Sequence, residues 1–338
     1  MTTPFRLFYL PYLPLKQDLD NVGSEALIIL SMCSLRSKSI AVSYRGPSKD
    51  VRLTLDFGLG DRLEDSDEYY TNVLLVVKKG FPMGHNTLET VRIGSFERVS
   101  VRMEFLYVKG DKRGLITYWE DPVTGVAAIG DYGREIFNRD IYEVCIGEKQ
   151  TNDDHRRAAE WFLKSQKSVQ SLHCDFKPKI DNDLDFILEN FNYTENLSLH
   201  VKALEHYSPV RLPNFQIDNL SIIYSFWIKQ EHLLTMDCKY IGLQDSTLSS
   251  RDFNVFLKHW MNGGCFQLKE CCVDVPGLDY QIVLDGVEFI KRGDDVERVF
   301  VDEDRIPHTI RGGFDVKRSN VTATVVNQSG DEFWMIVW

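Results

Sequence analysis

The strongest constraint on this chain is a recurrence in its second half. Five short strand-like segments occur there: SLHCDF, LSLHV, LSIIY, IGLQD and LKECCV. Their leading aliphatic residues, Leu172, Leu197, Leu220, Ile241 and Leu268, lie 25, 23, 21 and 27 residues apart. Between the last two, Ser249 to Met261 carries Phe253, Phe256, Leu257 and Trp260 at helical spacing, which predicts an amphipathic helix. Another helical stretch, His155 to Gln166, precedes the first segment. A strand and a connector repeating at such intervals cannot close a core alone, so neighbouring units must stack.

The mean spacing falls in the leucine-rich-repeat range of about 20–29 residues. This predicts a leucine-rich-repeat-like α/β segment over residues 151–275. No asparagine ladder recurs, so an ordinary α/β layer with accidental spacing stays open as the alternative. After Pro276 the pattern turns to strands, ending in Phe333-Trp-Met-Ile-Val-Trp338. That apolar ending predicts a C-terminal β cap, residues 276–338, over the open end of the stack.

Upstream, residues 46–150 read as β-rich. Val51 to Leu55 alternates, and Val73 to Val77, Val91 to Ile93, Val99 to Tyr107 and Gly114 to Trp119 are strand-like. The first 45 residues differ again. Leu15, Leu19 and Val22 have helical spacing, Ser24 is a candidate cap for a second helix, and Leu35 to Tyr44 predicts a third before Gly46-Pro47. Three short helices bury little apolar surface among themselves, so this piece is expected to cover its apolar side with a partner.

Whole-chain properties narrow the function class. Of 338 residues, 43% are apolar, enough for a large core. The net charge of −11 disfavours phosphate backbones, so no nucleic-acid partner is expected. No stretch reaches the roughly 20 apolar residues of a membrane span. The opening MTTPFRLFYLPYLPLK lacks a basic leader and carries three prolines. Seven scattered cysteines without C-x-x-C pairing suit a reducing compartment. The expectation is a cytoplasmic chain, the nucleus being possible.

The residues resemble a known family. RLFYLPYLPLKQDLDNVGSEALIILSMCSLRSKSIA, with Leu10-Pro11, Leu15, Leu19, Leu27, Leu30-Ser31 and Cys33-Ser34, is similar to an F-box. Residues 116–144, 225–264 and 314–338 resemble the type 2 F-box-associated domain found in nematode F-box proteins. Many F-boxes carry a tryptophan in the third helix, where this chain has Arg36-Ser37-Lys38. The resemblance implies an α+β and α/β architecture, with a three-helix F-box over residues 1–45 ahead of the β-rich, repeat-like domain. It also implies a substrate-recognition subunit of a Skp–cullin–F-box ubiquitin ligase, bound through a Skp-family adaptor to a cullin-RING assembly. Leu10, Pro11, Leu15, Leu19, Leu27 and Leu30 are the expected adaptor contacts, about half of them touching it. A non-ligase protein-binding scaffold is the alternative.

Such a receptor supplies proximity and needs no catalytic residue. The sequence contains no G-x-S-x-G elbow, P-loop or H-E-x-x-H helix. Adjacent Cys271-Cys272, and likewise His173-Cys174, point to opposite strand faces and cannot chelate one ion together. No metal, cofactor or enzyme activity is expected. The substrate surface is expected on strand faces and rim loops; Tyr224, Trp227, Tyr240 and His200 are aromatic candidates for it, though residues of this kind are more often core than interface.

Overall fold

The computed structural model describes residues 12–44, 51–58, 62–66, 71–80, 89–107, 111–147, 154–178, 180, 182–302, 305–327 and 330–338. The chain divides into two compact units, Met1–Val169 and Gln170–Trp338. Both mix helices with β-sheet.

The first unit opens with α1 (Tyr12–Asp20), α2 (Ser24–Met32) and α3 (Leu35–Tyr44). Gly23, with extended backbone, occupies the cap position of α2, so Ser24 is the first helical residue rather than the cap. Strands β1 (Leu53–Asp56), β2 (Arg62–Ser66), β3 (Thr71–Lys79), β4 (Glu89–Ile93), β5 (Phe96–Tyr107), β6 (Asp111–Trp119) and β7 (Ile141–Gly147) form one sheet in the order β7-β1-β2-β3-β6-β5-β4. Parallel pairs, β1 with β7 and β3 with β6, interrupt antiparallel neighbours.

Residues 46–150 hold one helix besides these seven strands among the described residues. The 16-residue helix α4 (Pro122–Phe137) lies within that span and packs on β1, β2, β3 and β6. Asp121 caps it by accepting from the Thr124 N–H, Pro122 opens its first turn, and left-handed Asn138 ends it. Gly125 and Gly130 obscure its helical signal in the sequence, because glycine weakens a helix interior. Packing explains them. A Cβ on Gly125 would sit 2.6 Å from the Trp119 ring, and one on Gly130 would sit 2.8 Å from Leu55 Cδ2. Helix α5 (Asp154–Ser165) follows, burying Ala158, Ala159 and Phe162.

In the second unit, β8 (Val169–Asp175), β9 (Tyr193–Leu199), β10 (Asn219–Ile222), β11 (Tyr240–Leu243) and β12 (Glu270–Asp274) lie side by side in chain order. Strands β9 to β12 are parallel, with Leu197, Leu220, Ile241 and Cys271 in register. In the last of these strands the in-register position is therefore Cys271, not Leu268. The chain makes a tight Cys265–Leu268 turn before the strand begins, which displaces the leucine while leaving it buried. Connectors include α6 (Asn182–Asn190), α7 (Gln230–Thr235) and α8 (Ser250–Met261). Ser249 and Asp252 cap α8 reciprocally, and Phe253, Phe256, Leu257 and Trp260 are buried along its inner face. Each such side chain contributes about 1.5–3 kcal/mol on burial.

After the short α9 (Tyr280–Val283) come β13 (Phe289–Val301), β14 (Pro307–Arg318), β15 (Val321–Val325) and β16 (Glu332–Val337). They continue the sheet in the order β12-β16-β15-β14-β13. Strand β16 pairs antiparallel with the edge of β12, and Phe333 lies 4.2 Å from Phe253 between ring centres.

Candidate functional site

Strand periodicity gives the parallel run two chemically different faces. Leu197, Leu199, Leu220, Ile222, Ile241, Leu243, Cys271 and Val273 are buried. The alternate residues Asn196, Ser198, Asn219, Ser221, Tyr240, Gly242, Glu270, Cys272 and Asp274 are half-buried on the other face. That face is polar, and Asn219 Nδ2 donates to Asn196 Oδ1 across two strands at 2.6 Å.

The arm formed by β13 and β14 turns part of this face into a cleft. Phe300 and Ile310 on the arm cluster with Val326 and Ile336, and Tyr240 and Trp334 pack partly against them. The result is a cleft of about 360 Å³. Ser221, Tyr240, Gly242, Glu270 and Cys272 line its floor, while Asp302, His308, Glu332 and Trp334 line its sides. A side chain at Gly242 would meet only the Leu220 carbonyl oxygen at 3.9 Å, so glycine leaves the floor low.

The cleft is electronegative. The Trp334 indole N–H donates to Glu270 Oε1 at 2.7 Å, and the Cys272 thiol donates to Glu332 Oε1 at 3.0 Å. His308 Nε2 lies 2.7 Å from Asp302 Oδ2. Burial pushes the Glu270 carboxyl above its ordinary value, with the Asp302 charge adding to the rise and the Trp334 hydrogen bond opposing it. Burial likewise raises the Cys272 thiol, helped by the Glu332 carboxylate. Three carboxyl groups beside Tyr240 and Trp334 suit a cationic side chain flanked by apolar ones.

Of the expected adaptor contacts, Leu10 and Pro11 lie outside the described residues. Leu15 and Leu30 are half-buried. Leu19 and Leu27 are 2% and 0% exposed, closed within their own chain. Helix α2 packs on α3 and α4, Ser31 meets Tyr132, and Lys38 Nζ lies 2.7 Å from the Glu135 carboxylate. Leu35 at the start of α3 is 70% exposed.

The aromatic candidates divide. Trp227 is core, edge-on to Tyr207 at 5.6 Å. Tyr224 lies under Lys202, Tyr240 enters the cleft, and His200 packs against His173. Sequence reasoning missed Glu270, Asp302, His308, Glu332 and Trp334. The alternation Glu270-x-Cys272 marks an outward face, but nothing local shows that the β13–β14 arm folds back over it.

Residues 212–273 match a family model described as F-box associated. That span holds β10, α7, β11, α8 and β12, and with them the cleft floor. The chain is also 25% identical over 251 residues to the Skn-1 dependent zygotic transcript 15 protein of Caenorhabditis elegans, an alignment covering 71% of this chain and 69% of that one. No solved structure matches the chain. The span 212–273 is thus similar to an F-box-associated domain, and the wider chain is similar to a nematode protein.

Proposed function

We propose that this protein is the substrate-recognition subunit of a Skp–cullin–F-box ubiquitin ligase. The N-terminal helices α1–α3, with the residues before them, engage a Skp-family adaptor. The open strand face of the second unit takes the target protein. In this reading the chain holds its target near the ligase and makes or breaks no bond itself.

One observation carries the reading: the F-box-associated match supplies the floor of an open, acidic cleft on an otherwise polar strand face. Parallel strands at leucine-rich-repeat-like intervals present such faces to protein partners. The carboxyls of Glu270, Asp302 and Glu332 favour a target segment bearing Lys or Arg. At the other end, Leu35 and the half-buried Leu15 and Leu30 leave apolar surface for an adaptor.

Copurification of the full chain with a recombinant Skp-family adaptor tests the assignment. Wild type is expected to retain the adaptor, and Leu10→Ala with Pro11→Ala to lose it without unfolding. Undiminished capture by the double variant would sink the adaptor-binding assignment. A specific observation favours a second reading, a scaffold in which α1–α3 merely cap their own unit: Leu19, Leu27, Ile28, Met32 and Ala41 are all buried within the chain. Absence of any adaptor complex with wild type would favour it.

A further inference from the structure

We propose that His173, Asp175 and His200 form a binding site for a divalent transition-metal ion, zinc by preference. Nothing in the matched span 212–273 contributes to it, and it goes beyond the receptor reading.

Two strands build the site. His173 and Asp175 are two residues apart on β8, so both side chains leave the same face. His200 follows β9, and its backbone N–H donates to the Cys174 carbonyl oxygen at 2.7 Å, which holds it beside β8. The rings of His173 and His200 meet edge to face with centres 4.7 Å apart. One ligand atom from each of the three residues lies within 4.8 Å of the others. In a tetrahedral zinc shell with bonds of about 2.0–2.1 Å, donors sit about 3.3 Å apart. Small rotations close that gap, because Asp175 is exposed and both histidines are half-buried.

The donor set selects the ion. Two imidazoles and one carboxylate suit zinc, cobalt and nickel, whereas calcium and magnesium prefer oxygen throughout. Ser198 Oγ lies 3.4 Å from His200 Nε2, a contact that helps fix the ring and leaves Nδ1 for the ion. Three protein ligands leave one position for water or for a side chain of a bound protein. The ion would also tie β8 to β9.

The sequence signal is H-x-D followed, one strand later, by a histidine. Testing His173 with its neighbour Cys174 misses it, because the partner on the same face is two residues away.

Titration of the untagged full chain with cobalt and with zinc tests the site. One cobalt ion per chain is expected, giving d–d absorption of a nitrogen and oxygen shell without thiolate charge-transfer bands. His173→Ala and His200→Ala should each weaken binding at least about tenfold, the loss seen even for residues that only support a ligand. Asp175→Asn, at an exposed position, should weaken it with the fold intact, and His206→Ala should change nothing. Zinc should raise the unfolding temperature of wild type and of His206→Ala, and leave His173→Ala with His200→Ala unmoved. Equal binding by wild type and that double variant, thiolate bands, or no cobalt uptake by wild type would each overturn the proposal.

Discussion

Ser31 Oγ on α2 lies 2.8 Å from the Tyr132 phenol oxygen on α4, and both residues are buried. The Ser31 hydroxyl also donates to the Ile28 carbonyl oxygen at 2.5 Å. Its single proton is thereby committed, so Tyr132 is the donor. Burial, opposed by the Ser31 bond and aided by the Glu135 charge, pushes the Tyr132 phenol up to about 12. The N-terminal helices are thus joined to α4 by an oriented polar contact.

That orientation makes the two deletions unequal. Tyr132→Phe removes the donor while Ser31 keeps Ile28, at a cost of about 1 kcal/mol. Ser31→Ala takes away the serine acceptor of a buried phenol and costs about 1–3 kcal/mol. Urea unfolding of both variants checks the order, and the reverse order would show that the phenol accepts.

Gly125→Ala tests the close seating of α4. Alanine raises helix propensity by about 1 kcal/mol. Its Cβ, however, would lie 2.6 Å from the Trp119 ring. The indole cannot yield freely, since its N–H donates to buried Thr117 Oγ1 at 2.8 Å. Overpacking at about 1–3 kcal/mol therefore prevails, and the variant has a lower unfolding midpoint.

Asp315 is buried on β14 and accepts from Arg292 at 2.6 Å, Arg298 at 3.0 Å and Thr324 at 2.7 Å. Burial alone would raise its carboxyl, but the Thr324, Arg292 and Arg298 hydrogen bonds outweigh burial and hold it below the ordinary value of 3.8. A carboxyl depressed in the fold stabilises fully above its unfolded pKa, and the contribution fades as pH falls through the lower native one. Asp315→Asn is expected to cost about 1–3 kcal/mol near neutrality, the arginines being partly in water. The deficit shrinks as pH falls below the ordinary carboxyl value of 3.8 and through the lower native one. Unfolding midpoints measured from pH 7 downward check both the size and the direction.

Glu270→Gln with Glu332→Gln removes two cleft charges and keeps the side-chain shapes. Proximity labelling with this variant should lose lysine- and arginine-rich targets that wild type retains, with adaptor copurification unchanged. Raising salt should weaken wild-type capture in the same direction, because these half-buried cleft charges still act partly through a screened field. An unaltered target set would place recognition elsewhere on the chain.

Much of this molecule follows from residue order alone. Leu35–Tyr44 and the body of α8 lie where their spacing puts them, because helical periodicity and caps act within a few residues. Leu197, Leu220 and Ile241 likewise announce parallel strands through regular spacing and alternation. Helix α4 did not, since Gly125 and Gly130 answer to Trp119 and Leu55 rather than to helix propensity. Local pattern also left open which N-terminal leucines face inward; Leu19 and Leu27 do, Leu27 on the helix that packs against α4 and the sheet. The acidic cleft needed the tertiary fold most of all. Glu270 meets Trp334 across 64 residues, and Asp302 and His308 arrive on an arm whose folding back depends on the apolar cluster of Phe300, Ile310, Val326 and Ile336. Periodicity reports which face a side chain takes, but only packing determines which distant face it meets.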